Sequence, residues 1–200
     1  DFIDTTLLLG FFAGMLAGFV DSIAGGGGLI TVPALLAFGL PPHQALATNK
    51  LQSSFGSATS TLSYASGGLI DFKKTGIAVL YTFIGAALGT LCIQLINTDF
   101  LKYLIPVLLV AIFSYVLLKP NWGKSASKAK LSNIVFFLIA GLTLGFYDGF
   151  FGPGTGSFWA ASIVVFLGLD LKRATATTKL MNFTSNIVSF AFFAYAGLVN

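Results

Sequence analysis

GFVDSIAGGGGLI, residues 18–30, closes an apolar run on an aspartate, breaks into four consecutive glycines and resumes as a short apolar segment. GFYDGFFGPGTGS, residues 145–157, does the same at an offset of 127, pairing Asp21 with Asp148 and Gly25 with Gly152. FGLPPHQALATNKL (38–51) and LGLDLKRATATTKL (167–180) continue the match at an offset of 129 and pair Lys50 with Lys179. GGLID (67–71) and AGLVN (196–200) extend it. A period this long excludes a solenoid or propeller and reads as duplication of a multi-helix unit, as in the repeated halves of transporters.

Composition says what kind of unit it is. Only 9% of the 200 residues are charged and 56% are hydrophobic, against about 25% charged in soluble domains. The mean hydropathy is +0.88. No soluble core could hide so much apolar surface, so the chain reads as a membrane protein, and a soluble enzyme or a disordered tail is excluded. Apolar segments run roughly over Ile3 to Val20, Leu29 to Leu40, Ala45 to Ser66, Thr75 to Ile96, Phe100 to Leu118, Ser132 to Tyr147, Ser157 to Leu169 and Ala174 to Ala196. Two of these, directly after the glycine breaks, reach only ~18–20 Å of a ~30 Å hydrocarbon core as helices. The fold class expected is all-α: a polytopic transmembrane helix bundle of two inverted repeats with Gly-broken short helices.

The net charge of +4 comes from basic residues gathered in short connections, where the positive-inside rule explains them without a nucleic-acid partner. Lys73 and Lys74, then Lys119, Lys124, Lys128 and Lys130, flank two clear spans and so share one side, the cytoplasmic one. Lys172 and Arg173 make a third basic connection, whereas its counterpart PPHQ (41–44) has neither Lys nor Arg. Equivalent connections therefore face opposite sides, the mark of an inverted repeat. The expected division is residues 1–118 as the first transmembrane repeat, 119–131 as a basic cytoplasmic linker and 132–200 as the second repeat. Two helices of the first unit have no counterparts before Asn200, so the second repeat is expected to continue beyond it. The start at Asp1, without Met or a basic region, does not read as a signal peptide, and residues are expected before it.

Four charged residues lie within or beside apolar segments: Asp21, Lys50, Asp148 and Lys179. Each would cost ~2.5–3.5 kcal/mol facing lipid at mid-bilayer, so they face protein, water or each other. An Asp–Lys salt bridge within each half and a charged substrate path both meet that requirement. Lys50, Ser53 and Ser57 share one helical face, as do Lys179, Asn182 and Asn186, with Asn49 and Thr178 nearby. A short helix after Gly-rich backbone exposes unpaired amides and its positive dipole end, where a small anion can replace its water. From the first break, a helix advancing ~18 Å and a return of ~7 Å leave Lys50 about 10 Å away, within reach of a long side chain and a small oxyanion. The candidate binding residues are Gly25, Gly26, Gly27, Gly28, Asn49, Lys50, Ser53, Gly152, Gly154, Gly156, Thr178, Lys179 and Asn182. Asp21 and Asp148 are expected as counter-charge or coupling groups. His43 reads as a surface residue. Cys92 and His43 supply no metal-ligand set and no nucleophile–base pair, so no metal, cofactor or enzymatic chemistry is expected.

With the paired ALATNKL (45–51) and ATATTKL (174–180) beside the glycine runs, the sequence resembles the sulfite exporter TauE/SafE family of membrane transporters. The resemblance rests on AGFVDSIAGGGGLITVPALL with ATNKLQ, and on GFYDGFFGPGTGSF with ATATTKLMNFTSN. It implies transport of small anions, often sulfur-containing ones such as sulfite, sulfonates or related organic acids, across the prokaryotic cytoplasmic membrane. Alternating access is the mechanism expected from the repeats, a homo-oligomer is compatible with the pattern, and a passive anion channel or a non-transporting membrane scaffold are the alternatives.

Overall fold

The computed structural model describes residues 2–118 and 128–199, and every regular element among them is helical. In chain order these are α1 (Phe2–Ala24), α2 (Gly28–Ala37), α3 (Pro42–Ser66), α4 (Phe72–Gln94), α5 (Thr98–Leu118), α6 (Asn133–Phe150), α7 (Thr155–Ser162) and α8 (Leu171–Tyr195). A π-helical turn, Ile163–Leu167, continues α7. Lys119 and Lys124 of the expected 119–131 linker lie outside the described residues, while Lys128 and Lys130 are exposed.

α4, α5 and α6 are long and apolar enough to cross a membrane. α2, with 10 residues, reaches about 15 Å, half the hydrocarbon thickness. It ends at Ala37, three residues before the apolar run does. Gly39 at φ +88° turns the chain, and the Leu40 and Gly39 amides bond back to the Leu35 and Leu36 carbonyls, the pattern that closes a helix with a left-handed residue.

The sequence duplication is written into the backbone. α3 and α8 have 25 residues each, and both ends of α8 fall 129 residues after those of α3. α7 starts 127 residues after α2. Among the glycines with positive φ, Gly25 and Gly152 correspond, as do Gly39 and Gly168, and Gly68 and Gly197. The change of offset falls inside the second short segment, which contains the π turn.

α4 and α6 form the most extensive helix pair, and glycine explains it. Gly85 and Gly89 of α4 face Gly141, Gly145 and Gly149 of α6. A Cβ at Gly85 would lie 2.6 Å from the Leu142 carbonyl oxygen, and one at Gly145 would lie 2.8 Å from that of Thr82. Small residues four apart let two backbones touch where apolar side chains gain nothing over lipid. α5 instead buries only the Leu101, Ile105 and Leu109 stripe and turns Phe100, Val107, Val110 and Phe113 outward, as a lipid-facing helix does.

α3 and α8 pack against each other in the interior and carry its polarity. Asn49, Lys50, Ser53, Ser54 and Ser57 of α3 are buried, as are Thr177, Thr178, Lys179, Asn182, Ser185 and Asn186 of α8. Several hydroxyls satisfy themselves on the preceding turn, Ser54 donating to the Lys50 carbonyl at 2.7 Å and Thr184 to that of Leu180 at 2.9 Å. Thr90 ties α8 to the glycine seam through Gly149 O (3.1 Å) and Ser189 Oγ (2.8 Å).

Candidate functional site

The two glycine breaks lie against each other. A Cβ on Gly25 would sit 2.7 Å from Gly156 Cα, and one on Gly156 would sit 2.6 Å from Gly25 Cα. Gly28 faces Pro153 in the same way, with 3.2 Å from its Cβ position to Pro153 Cγ. The left-handed φ values of Gly25 (+72°) and Gly152 (+100°) make the turns that start α2 and α7. Each break is braced locally. The Asp21 carboxylate accepts the Gly27 amide at 3.3 Å, and the Tyr147 hydroxyl donates to the Pro153 carbonyl at 2.7 Å.

The buried lysines cross between the related stretches. Salt bridges within each half are not what forms: Lys50 of α3 pairs with Asp148 of α6, Nζ to Oδ1, at 2.6 Å. It also donates to the Asp148 main-chain carbonyl and to Asn186 Oδ1 (3.2 Å). Reciprocally, Lys179 of α8 donates to the main-chain carbonyl of Asp21 on α1. The helix packing decides this, because contact between the breaks brings each lysine to the opposite aspartate.

The symmetry is incomplete. Asp148 uses both carboxylate oxygens, Oδ1 for Lys50 and Oδ2 for the Ser185 hydroxyl. Among the described residues the Asp21 carboxylate receives only the Gly27 amide, and its lysine has turned to the main chain. An ammonium has three donors, and on Lys50 all three are engaged.

A small cavity lies where the breaks and the polar helices meet, bordered by Asp21, Gly25, Gly28, Asn49, Lys50, Ser53, Asp148, Gly152, Thr155, Gly156, Asn182 and Asn186. The centre of a water-sized sphere has about 20 Å³ to move in it. One water takes about 10–15 Å³ on that measure, so an oxyanion with three or four oxygens needs the surrounding helices to part. Asn49 Oδ1 and Asn182 Oδ1 are buried without a hydrogen-bond partner among the described residues, and both residues border the cavity.

Of the residues singled out in the sequence, Gly25, Gly28, Asn49, Lys50, Ser53, Gly152, Gly156, Asn182, Asp21 and Asp148 border this cavity. Gly26, Gly27, Gly154, Thr178 and Lys179 do not. Gly27 packs against α1, its Cβ position 2.6 Å from the Ala17 carbonyl oxygen, and Gly154 packs against Ile112 of α5. Thr155 and Asn186 are additions. Asn186 already stood on the Lys179 stripe, and Thr155 is the counterpart of Gly28 at the 127 offset. His43 is not a free surface residue. It is half-buried, with Nδ1 3.2 Å from Thr98 Oγ1 and Nε2 3.0 Å from the Ile93 carbonyl oxygen, and it ties the start of α3 to the α4–α5 connection. No cluster of metal-ligating side chains is present among the described residues.

Comparison with known proteins gives a matching account of the chain. The profile of a family described as sulfite exporter TauE/SafE matches residues 10–200. The chain is 44% identical over 200 residues to the probable membrane transporter protein YfcA of Escherichia coli (strain K12), covering 99% of this chain and 74% of that protein. It is 46% identical over 189 residues to a probable membrane transporter protein of Haemophilus influenzae (94% of this chain, 74% of the other). With the probable membrane transporter protein ORF9 of a Sinorhizobium species the identity is 47% over 189 residues (94% and 72%). No solved structure gives a significant match.

Proposed function

This chain belongs to the sulfite exporter TauE/SafE family, and on that premise we propose that it carries a small anion across the prokaryotic cytoplasmic membrane by alternating access. The substrate class is a sulfur oxyanion: sulfite, a sulfonate or a related organic acid. The two repeats have inverted topology, and rocking one against the other exposes a site between them to each side in turn.

The observation that carries this reading is the contact between two glycine breaks with a buried lysine crossing to each, Lys50 to Asp148 and Lys179 to Asp21. Such a centre is costly to build for packing alone, since apolar side chains of similar volume replace a buried ion pair at little or no loss. An anion-handling role gives a reason to keep it. The small cavity belongs to a closed conformation in this reading, with Asn49, Asn182, Lys50 and the backbone of Gly25, Gly28, Gly152 and Gly156 as its ligands once the helices part. Asp21 and Asp148 balance the lysines or carry a coupling proton.

Uptake by reconstituted protein in proteoliposomes, with sulfite, thiosulfate, sulfoacetate and a non-sulfur carboxylate in competition, tests the proposal. Uptake against a gradient, competed by the sulfur anions, is expected. Flux that never concentrates its substrate would make the protein a channel, and no flux of any of the four would refute the transport reading.

A further inference from the structure

The two aspartate–lysine pairs correspond in sequence yet are made differently, and the difference bears on how the site handles charge. Asp148 has no idle oxygen, and protonating it would strip Lys50 of its counter-ion. Asp21 is also buried, but its carboxylate takes a single hydrogen bond of 3.3 Å from Gly27 N–H, on Oδ1. No other hydrogen bond reaches it from the described residues. Its Oδ2 points toward Gly56, 3.7 Å from the position of a Cβ there. Protonation at Oδ2 leaves the Gly27 bond intact.

Asp21 borders the same cavity as Asp148 and Lys50. The charged groups that act on it are Lys179 from α8, Asp148 from α6 and Lys50 from α3. α2 and α7 bring no titratable side chain to the cavity. With both aspartates ionised the four charges sum to zero, so an arriving anion leaves the buried site net negative, with its new charge beside an existing carboxylate. Like charges sharing a poorly solvated site push one of them to the neutral form.

We infer that Asp21 takes up one proton for each anion admitted, so that the protein is a proton–anion symporter, with Asp148 as the fixed counter-ion of Lys50. The inference rests on the transport reading above. The step is acid–base only. A proton from the aqueous phase forms an O–H bond at Asp21 Oδ2, the anion enters, and the charge of the site rises by one and falls by the charge of the anion. Both leave on the far side.

The test uses thiosulfate and sulfoacetate, whose acidic groups stay ionised near neutral pH, so that protonation of the substrate cannot imitate coupling. Reconstituted wild-type protein should acidify the vesicle lumen by one proton per anion taken up, read by an internal pH dye. Anion affinity in detergent should fall about tenfold per pH unit once Asp21 is ionised, as one-proton linkage requires. Asp21→Asn keeps the Gly27 acceptor, and should bind with the affinity of acidic wild type at every pH. His43→Gln, away from the cavity, should keep the slope. Uptake without proton entry, or an unchanged pH slope in folded Asp21→Asn, overturns the inference and leaves the transport reading standing. Should that variant fail to fold, the wild-type proton count decides alone. Absence of any anion uptake removes both.

Discussion

Lys50 and Asp148 lie 98 residues apart and form the one buried ion pair among the described residues, at 2.6 Å. The other three pairs are exposed i,i+3 contacts on helix ends, of a kind worth little. Removing one partner of a buried pair leaves an uncompensated charge and costs about 3–5 kcal/mol, whereas removing both costs far less. Lys50→Met and Asp148→Leu should each sharply lower the unfolding temperature in detergent, and the double variant should recover most of the loss. It should still fail to bind the anion. Additive losses in the double variant would mean that the two charges do not depend on each other.

The glycines of the breaks separate into three groups by what surrounds them. A Cβ at Gly152 would lie 2.7 Å from Lys50 Nζ, at a φ of +100°, so Gly152→Ala should lower stability and also push the lysine aside, weakening binding by more than the loss of folded fraction accounts for. At Gly27 the obstacle is the Ala17 carbonyl oxygen at 2.6 Å, and at Gly154 it is Ile112 Cγ2 at 2.6 Å with φ at +82°. Gly27→Ala and Gly154→Ala should therefore lower stability by about 1–3 kcal/mol, with affinity falling only as the folded fraction does. Gly26 has nothing nearer than 4.0 Å, and Gly26→Ala should be tolerated. Ligand-induced shifts of the melting temperature distinguish the groups. Normal binding by Gly152→Ala would refute the division.

Much of this arrangement was legible in the sequence, because it is local. Asp21, the glycine run, the short segment and the Lys50 stripe follow one another along 40 residues, and their repetition fixes α3 and α8 to matching lengths. What spacing could not supply was the partner of each lysine. Periodicity places Lys50 on a face of α3 without saying which helix that face meets, and Asp148 arrives there only because the two breaks touch. The α4–α6 seam was in principle readable, since Gly85 and Gly89, and Gly141, Gly145 and Gly149, recur every fourth residue. The roles of Gly27 and Gly154 were not, because within a glycine run the sequence does not distinguish an amide that faces a cavity from one pressed on a neighbouring helix.

The seam makes its own prediction. Gly85→Ala and Gly145→Ala each place a methyl group 2.6–2.8 Å from a carbonyl oxygen of the facing helix, so α4 and α6 must separate. A loss of about 1–3 kcal/mol is expected for each. Gly14 of α1 and Gly76 of α4 have nothing within 4 Å of a Cβ, and alanine there should stabilise the helix by up to about 1 kcal/mol. Thermal unfolding of the four variants should give losses for the first two alone. Equal behaviour of all four would mean that helix propensity, and not backbone contact, governs this seam.

Inverted topology is the remaining test, and it turns on which side of the membrane each short helix ends. α2 ends before Pro41 and the α7 segment ends before Lys172, at connections that correspond by the 129 offset. One lacks basic residues and the other holds Lys172 and Arg173, so charge bias assigns them to opposite sides. Cys92 is an exposed free cysteine and must be removed as Cys92→Ser before single cysteines are introduced. Both Pro41 and Lys172 are exposed. In intact cells, Pro41→Cys should react with a membrane-impermeant maleimide, whereas Lys172→Cys should react only after permeabilisation. Because an odd number of crossings per unit is what inverts the second copy, labelling of both cysteines from the same side would remove the two-fold relation in the membrane plane, and with it the symmetry argument for alternating access.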